Sequence, residues 1–352
     1  MVLDRSLTER IANTVARGGA GPGKEDGTST ALPADIAAIC ADAEERVVAY
    51  TGLEPDAPLP RPEAVGRPGW IAANVNSMAA MLEPLGGQLA GALGPLGAPV
   101  RALTTGLMSA EAGALTGYMS QRVLGQYEFV LIDPASPARL LFVAPNIAKA
   151  AARLEADHEQ LLTWIAFHEV THAVQFAGVR WLRPHLAGLL GELLSSLELK
   201  VDPRSLRLPG ADDAKAWIAG VRAGGLIAAL AGDRRELLDR VQAVMGVIEG
   251  HAEHVMDVVG ADALPALGEL RSALDRRRRE RPPLLALLDR LIGLDAKMRQ
   301  YEDGKRFCDT IVDAAGSAAL HSVFVGPERL PTLAELRDPE AWMDRAGVSA
   351  LA

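Results

Sequence analysis

The stretch "WIAFHEVTHAVQF" (residues 164–176) holds two histidines four apart, a glutamate beside the first, and apolar residues at most remaining positions. On a helix each residue advances about 100°, so His168 and His172 project within about 40° of each other, one turn apart. Two imidazoles stacked in that way reach a single metal ion. Glu169 falls on an adjacent face, placed to touch a water on the metal rather than the metal. That is the chemistry of a zinc hydrolase: the ion acidifies water and polarises a carbonyl, while the carboxylate carries the proton to the leaving group. The bland alternative is a buried helix with two satisfied histidines. The chain has only 7 histidines, so chance would produce this pattern in roughly one such sequence per hundred. Trp164, Ile165, Phe167, Val170, Val174 and Phe176 also make the helix apolar around the motif. Imidazoles and a carboxylate in such surroundings need a compensating partner, and a metal is one.

Two histidines leave a catalytic zinc one protein ligand short. The longer metzincin pattern would need Gly at 175 and His at 178, where this chain has Gln175 and Gly178. The third ligand is therefore expected to be a carboxylate from a second helix. Glu192 in "GELLSSLELK" follows His172 at the short spacing of thermolysin-like enzymes, whereas Glu249 in "VIEGHAEHVMDVVG" lies much further along. Glu249 is preferred for its surroundings. Glu253 falls about 40° from it, one turn along the same face, where it can accept the outward N–H of a ligating histidine. Glu192 has only Ser196 at that offset. His254, about 140° around the helix from Glu249, is a candidate donor at the edge of the site. His321 is another.

The elements that must position these residues are mostly helical. "YEFVLIDPASPARLLFVAPNI" is the one convincing strand region, with runs at Phe129–Ile132 and Leu140–Val143 and turn chemistry between them. A hairpin is expected there, immediately before the histidine helix. Asn146, at its end, is expected to bond its own turn. The fold class is thus mainly α with a small antiparallel sheet (α+β). Residues 1–35 read as an N-terminal helix and a flexible linker, the latter in "GGAGPGKEDGTSTALPAD". Residues 36–352 read as one domain, with a helical part over 36–125 and the catalytic core over 126–330. "APLPRPEAVGRPGW" is proline-broken and reads as irregular.

With 352 residues the chain can bury a large core. Its net charge of −9 argues against general nucleic-acid binding. The basic run Arg276–Arg279 with Arg281 sits between acidic residues and prolines, and reads as a solvated helix end. Cys40 and Cys308 are too few and too far apart for a disulfide framework or a cysteine zinc knuckle, and a reducing cytoplasm is the expected location. Trp70–Met119 is the least polar region, but prolines, glycines, Glu83 and Arg101 interrupt it. Packed small-residue helices are expected there, with no membrane span.

"GYMSQRVLGQYE", "LLFVAPNI", "WIAFHEVTHAVQF", "RWLRPHL", "VIEGHAEHVMDVVG" and "QYEDGKRF" carry a family resemblance over residues 45–325. Together they resemble an actinobacterial-type family of zincin-like metalloproteases and hydrolases, some of them associated with deazaflavin-coenzyme biosynthesis. The resemblance implies a zincin-like fold and zinc held by His168, His172 and Glu249, as in gluzincin-type sites. It implies Glu169 as the base and makes Tyr301 of "QYEDGKRF" a candidate oxyanion donor. In zincins an edge strand ahead of the active helix binds substrate backbone by strand addition, and Leu140–Val143 is the strand expected to do so. The expected function is a zinc hydrolase acting on peptide bonds or on a small-molecule amide. A catalytically idle zincin scaffold that binds a partner is the competing reading, and the oligomeric state is left open.

Overall fold

The computed structural model describes residues 3–18, 27–93, 98–131, 133, 136–196, 235–265, 268–273 and 294–351. The linker residues 19–26, Ile132 and the basic run at 276–281 lie outside the described residues. The chain is mainly helical with one small sheet, as expected. It folds as two compact units. The first comprises Met1–Glu45 and Pro58–Ala173, and the second Arg46–Ala57, Val174–Glu198 and Ser205–Ala352, each over its described residues.

The first unit contains α1 (Arg5–Arg17), most of α2 (Ile36–Thr51), β1 (Pro62–Val65), α3 (Arg67–Leu93), α4 (Ala98–Met119), β2 (Gly125–Glu128), β3 (Arg139–Val143), α5 (Ala144–Leu154) and most of α6 (His158–Gly178). The strand order is β1-β3-β2. β3 is antiparallel to β2, with Gly125 opposite Phe142, and parallel to β1, with Val65 opposite Val143. The sheet is therefore mixed. The strand expected at Phe129–Ile132 forms earlier, at Gly125–Glu128, so the connection is longer than a tight hairpin. Here β-propensity yields to polar anchoring on α3. Trp70 Nε1 donates to Gln126 Oε1 at 2.6 Å, Asn74 exchanges hydrogen bonds with Gln126, and Ser77 Oγ donates to Glu128. Residues 70, 74 and 77 share one stripe of α3. The proline-broken segment also contributes a strand, β1. Pro62 opens it at the sheet edge, where its missing N–H costs no ladder bond.

Leu140–Val143 is almost wholly buried, and its neighbours Val65, Trp70, Ile71 and Val75 complete a dry core with Ala12 and Ala16 of α1. Because β3 is the central strand, both its edges are taken. It cannot accept a substrate strand, which corrects the expectation above. Asn146 also differs from expectation. Its amide donates to the Ser120 and Val123 carbonyls at 2.7 Å, and its oxygen accepts from Arg67 Nε at 2.8 Å. It thus ties α5 to the turn after α4 rather than to its own turn. The N-terminal helix is integral to this unit. Asp4 N–H donates to Ser109 Oγ of α4, and the Gln121 amide donates to the Val15 carbonyl. Among the described residues no helix is long and apolar enough to cross a membrane.

The second unit holds the end of α2, the last turn of α6, α7 (Leu182–Ser196), α8 (Arg235–Ala263), α9 (Leu294–Ala315), α10 (Ser317–His321) and α11 (Pro339–Ala346). α8 and α9 cross at Gly250 and Gly304, where a Cβ on either residue would run into the opposing backbone. Buried Trp342 of α11 packs edge-on against Phe307 of α9 and donates to the Arg329 carbonyl at 2.7 Å.

Candidate metal centre

α6 runs unbroken from His158 to Gly178, so the expected helix around the motif is present. Leu161, Leu162, Ala166, Phe167, Ala173 and Val174 are fully buried along it. The two imidazoles project from one turn to the next. Their Nε2 atoms stand 3.3 Å apart, with the rings nearly perpendicular. Two nitrogens bound to one zinc at about 2.0–2.1 Å and the tetrahedral angle would be separated by about 3.3 Å. The pair is spaced as chelating ligands are.

Among the described residues, His168, His172 and Glu249 each offer a ligand atom, and these atoms all lie within 4.8 Å of one another. His172 is buried, the other two half-buried. Two neutral imidazoles and one carboxylate suit a zinc-sized divalent ion. The donor set fits the metal that the sequence pattern calls for.

Glu169 is 7% exposed. Its Oε2 accepts the Tyr127 backbone N–H at 2.9 Å. On the same side, a Cβ at Gly125 would lie 2.7 Å from Glu169 Cγ and 2.9 Å from Ile165 Cγ2. The edge strand β2 is therefore pressed directly against the motif glutamate. Buried Cys40 also lies within electrostatic range: burial first, then the Glu169 and Glu44 charges, push its thiol up to about 12, so it stays protonated.

The rival ligand Glu192 is exposed and pairs with Arg240 at 3.3 Å. Glu253 lies one turn beyond Glu249 on α8, half-buried. Gln175, in the place of the metzincin glycine, is fully buried. Its amide donates to the Ile248 carbonyl at 3.1 Å and pairs with His251 Nδ1 at 2.8 Å. Tyr301 falls on α9, and its side chain lies outside the described part of the chain.

His254 is placed otherwise than as a ready oxyanion donor, because both its ring nitrogens are engaged. Nε2 pairs with Tyr50 Oη and Nδ1 with Asp309 Oδ1, each at 2.7 Å. Burial alone would raise the Asp309 carboxyl, but hydrogen bonds from His254 and Lys305 outweigh it and hold the group below the usual range. With Asp309 ionised, Nδ1 carries a proton and donates to it. Burial pushes the Tyr50 hydroxyl up, so it keeps its proton. His321 stacks edge-on against Tyr50. Burial, aided by His254, lowers it to about 4. Tyr50 had no signal in the sequence, since a tyrosine ending a helix has no distinctive spacing. Gly125 and Tyr127 lay within a resemblance segment, but their roles belong to the backbone and cannot be read from residue type.

Convergent imidazoles on a buried helix, a neighbouring carboxylate and a second carboxylate within reach from another helix are donors that could hold a metal ion. The chain belongs to the zincin-like metallopeptidase family, whose model matches residues 3–343. It is also similar to a protein of Chloroflexus aurantiacus, described from its crystal structure as a proposed hydrolase with a novel fold. The identity is 27% and the TM-score 0.68, over 98% of this chain and 99% of that one. No curated protein matches the chain.

Proposed function

We propose that this chain is a zinc-dependent hydrolase of peptide or amide bonds, with His168, His172 and Glu249 as the ligands. The observation that carries the reading is the convergence of those three donors, within 4.8 Å, on the helix turn that also bears Glu169. Zinc held there would polarise the scissile carbonyl and make water a stronger acid. Glu169 is the base that takes the proton from the attacking water and returns it to the leaving amine. Glu253, one turn beyond Glu249, is the carboxylate we assign to steady a ligating histidine through its outward N–H once zinc is bound.

An idle scaffold would need neither an open position nor a spare carboxylate. Structural zinc sites are generally closed by four protein ligands, whereas the described cluster has three, with Glu169 beside it. Substrate backbone would add to the outer edge of β2 rather than to β3, at Gly125 and the Tyr127 carbonyl, because the Tyr127 amide is taken by Glu169. Val143 N–H donates to the Leu124 carbonyl, so in the antiparallel alternation Gly125 and Tyr127 turn their backbone groups away from β3. An edge strand passing beside the base favours an extended peptide substrate.

The test is elemental analysis of the purified protein, with hydrolysis of a fluorescent casein followed before and after chelation. About one zinc per chain, with activity lost on chelation and restored by zinc, is the expected result. A protein that binds no zinc on reconstitution would overturn the reading.

A further inference from the structure

We infer that strand β2 is a positioning element for the catalytic carboxylate, with the Tyr127 amide and the absent side chain of Gly125 holding Glu169 in its working orientation. This rests on Glu169 being the general base. A glutamate has three side-chain torsions, and a base is effective only when its oxygen sits within hydrogen-bond reach of the proton it takes. Oε2 of Glu169 is fixed by a main-chain donor at 2.9 Å. A backbone amide in a sheet has no rotor, so it fixes the carboxylate more firmly than a side-chain donor would. Gly125 supplies the complementary constraint. The hypothetical Cβ at 125 comes within 2.7 Å of Glu169 Cγ and 3.0 Å of its Oε1, so the Glu169 stem occupies the space that any side chain there would need.

The strand is itself anchored from α3. Trp70, Asn74 and Ser77 grip Gln126 and Glu128, the two β2 residues whose side chains alternate with Gly125 and Tyr127. The same four-residue strand thus takes its position from α3 through alternate side chains and passes it to Glu169 through one amide. None of these residues is a metal ligand. Their removal should disturb the base and leave the metal in place.

The experiment uses the full chain reconstituted with cobalt, whose visible spectrum reports occupancy of the coordination sphere, and acetohydroxamic acid as the probe. A hydroxamic acid gives up a proton to a neighbouring base as it chelates, so its affinity reads the position of that base independently of turnover. Tyr127→Pro removes the amide hydrogen at an edge position that β3 does not use, and Tyr127→Val removes the ring but keeps the amide. Both should bind one cobalt. The proline variant is expected to bind the probe about tenfold more weakly than the valine variant, the scale at which an outer partner of a metal site acts. Gly125→Ala should weaken the probe similarly, and it decides the matter if the proline variant does not fold. Equal probe affinity in Tyr127→Pro and Tyr127→Val, with Gly125→Ala like wild type, would overturn the inference. Glu169→Gln separates the two levels. Wild-type probe affinity in that variant would remove the general base itself and the inference with it. Weak binding there, with undisturbed strand variants, would remove the strand's role alone.

Discussion

The turn of α6 at His168–His172 and the Tyr50–His254–Asp309 chain both bury imidazole beside carboxylate, and they use it in opposite ways. In the chain each nitrogen of His254 already has a partner at 2.7 Å, and Asp309 is further neutralised by Lys305 at 2.5 Å. Such a network is complete, and it holds α2, α8 and α9 of the second unit together. On α6 the two Nε2 atoms face each other at 3.3 Å, the separation of two nitrogens on one zinc. Burial alone does not mark a functional histidine. The difference lies in whether its nitrogens point at donors and acceptors or at a common centre.

That contrast can be broken most severely at Glu249, the proposed third ligand. Glu249→Ala should reduce bound zinc from about one per chain to none by elemental analysis, whereas Glu192→Ala, which only frees Arg240, should leave it unchanged. If Glu192→Ala strips the metal instead, the site is of the short-spaced kind. Next in size is Glu169→Gln, expected to keep zinc and lose roughly 10²–10⁴-fold in turnover, as loss of a general base does. Wild-type turnover would assign the proton transfer to another group. Glu253→Ala should then weaken zinc by about 10–100-fold in a chelator competition without abolishing it.

The other side of the contrast is read as stability. His254→Leu leaves Tyr50 and Asp309 without their partner and should cost about 1–3 kcal/mol in denaturant unfolding, with zinc content intact. Loss of zinc in that variant would show that the two regions are not separable. The last effect is a pH dependence. His321 is lowered from 6.5 to about 4, so between those values the unfolded chain binds a proton that the folded chain refuses. Its contribution is therefore intact above about pH 6.5 and is lost as pH falls through about 4. Asp309, also lowered, adds a loss of the same sign below its ordinary value of 3.8. A melting-temperature profile of His321→Asn should be flatter than wild type between pH 6.5 and 4.

Much of the candidate site is legible in the sequence, because its first half is local. His168, Glu169 and His172 are set by the 100° step of a single helix, and the apolar residues between them dictate that the helix is buried. The choice of Glu249 over Glu192 also rests on a local feature, the carboxylate one turn further at Glu253. The sheet is less legible. Phe129–Ile132 has the stronger strand composition, yet Gly125–Glu128 pairs with β3, because Gln126 and Glu128 find partners on α3 that no sequence window contains.

Residue type and helical period by themselves determined that two imidazoles and a carboxylate share a turn, and that the chain is mainly helical. Tertiary structure alone decided that β3 is central and β2 the edge, that His254 is saturated by Tyr50 and Asp309, and that a backbone amide holds Glu169. The reason is physical. Every residue but proline carries the same amide, and every imidazole the same two nitrogens, so their roles depend on what long-range packing brings opposite them.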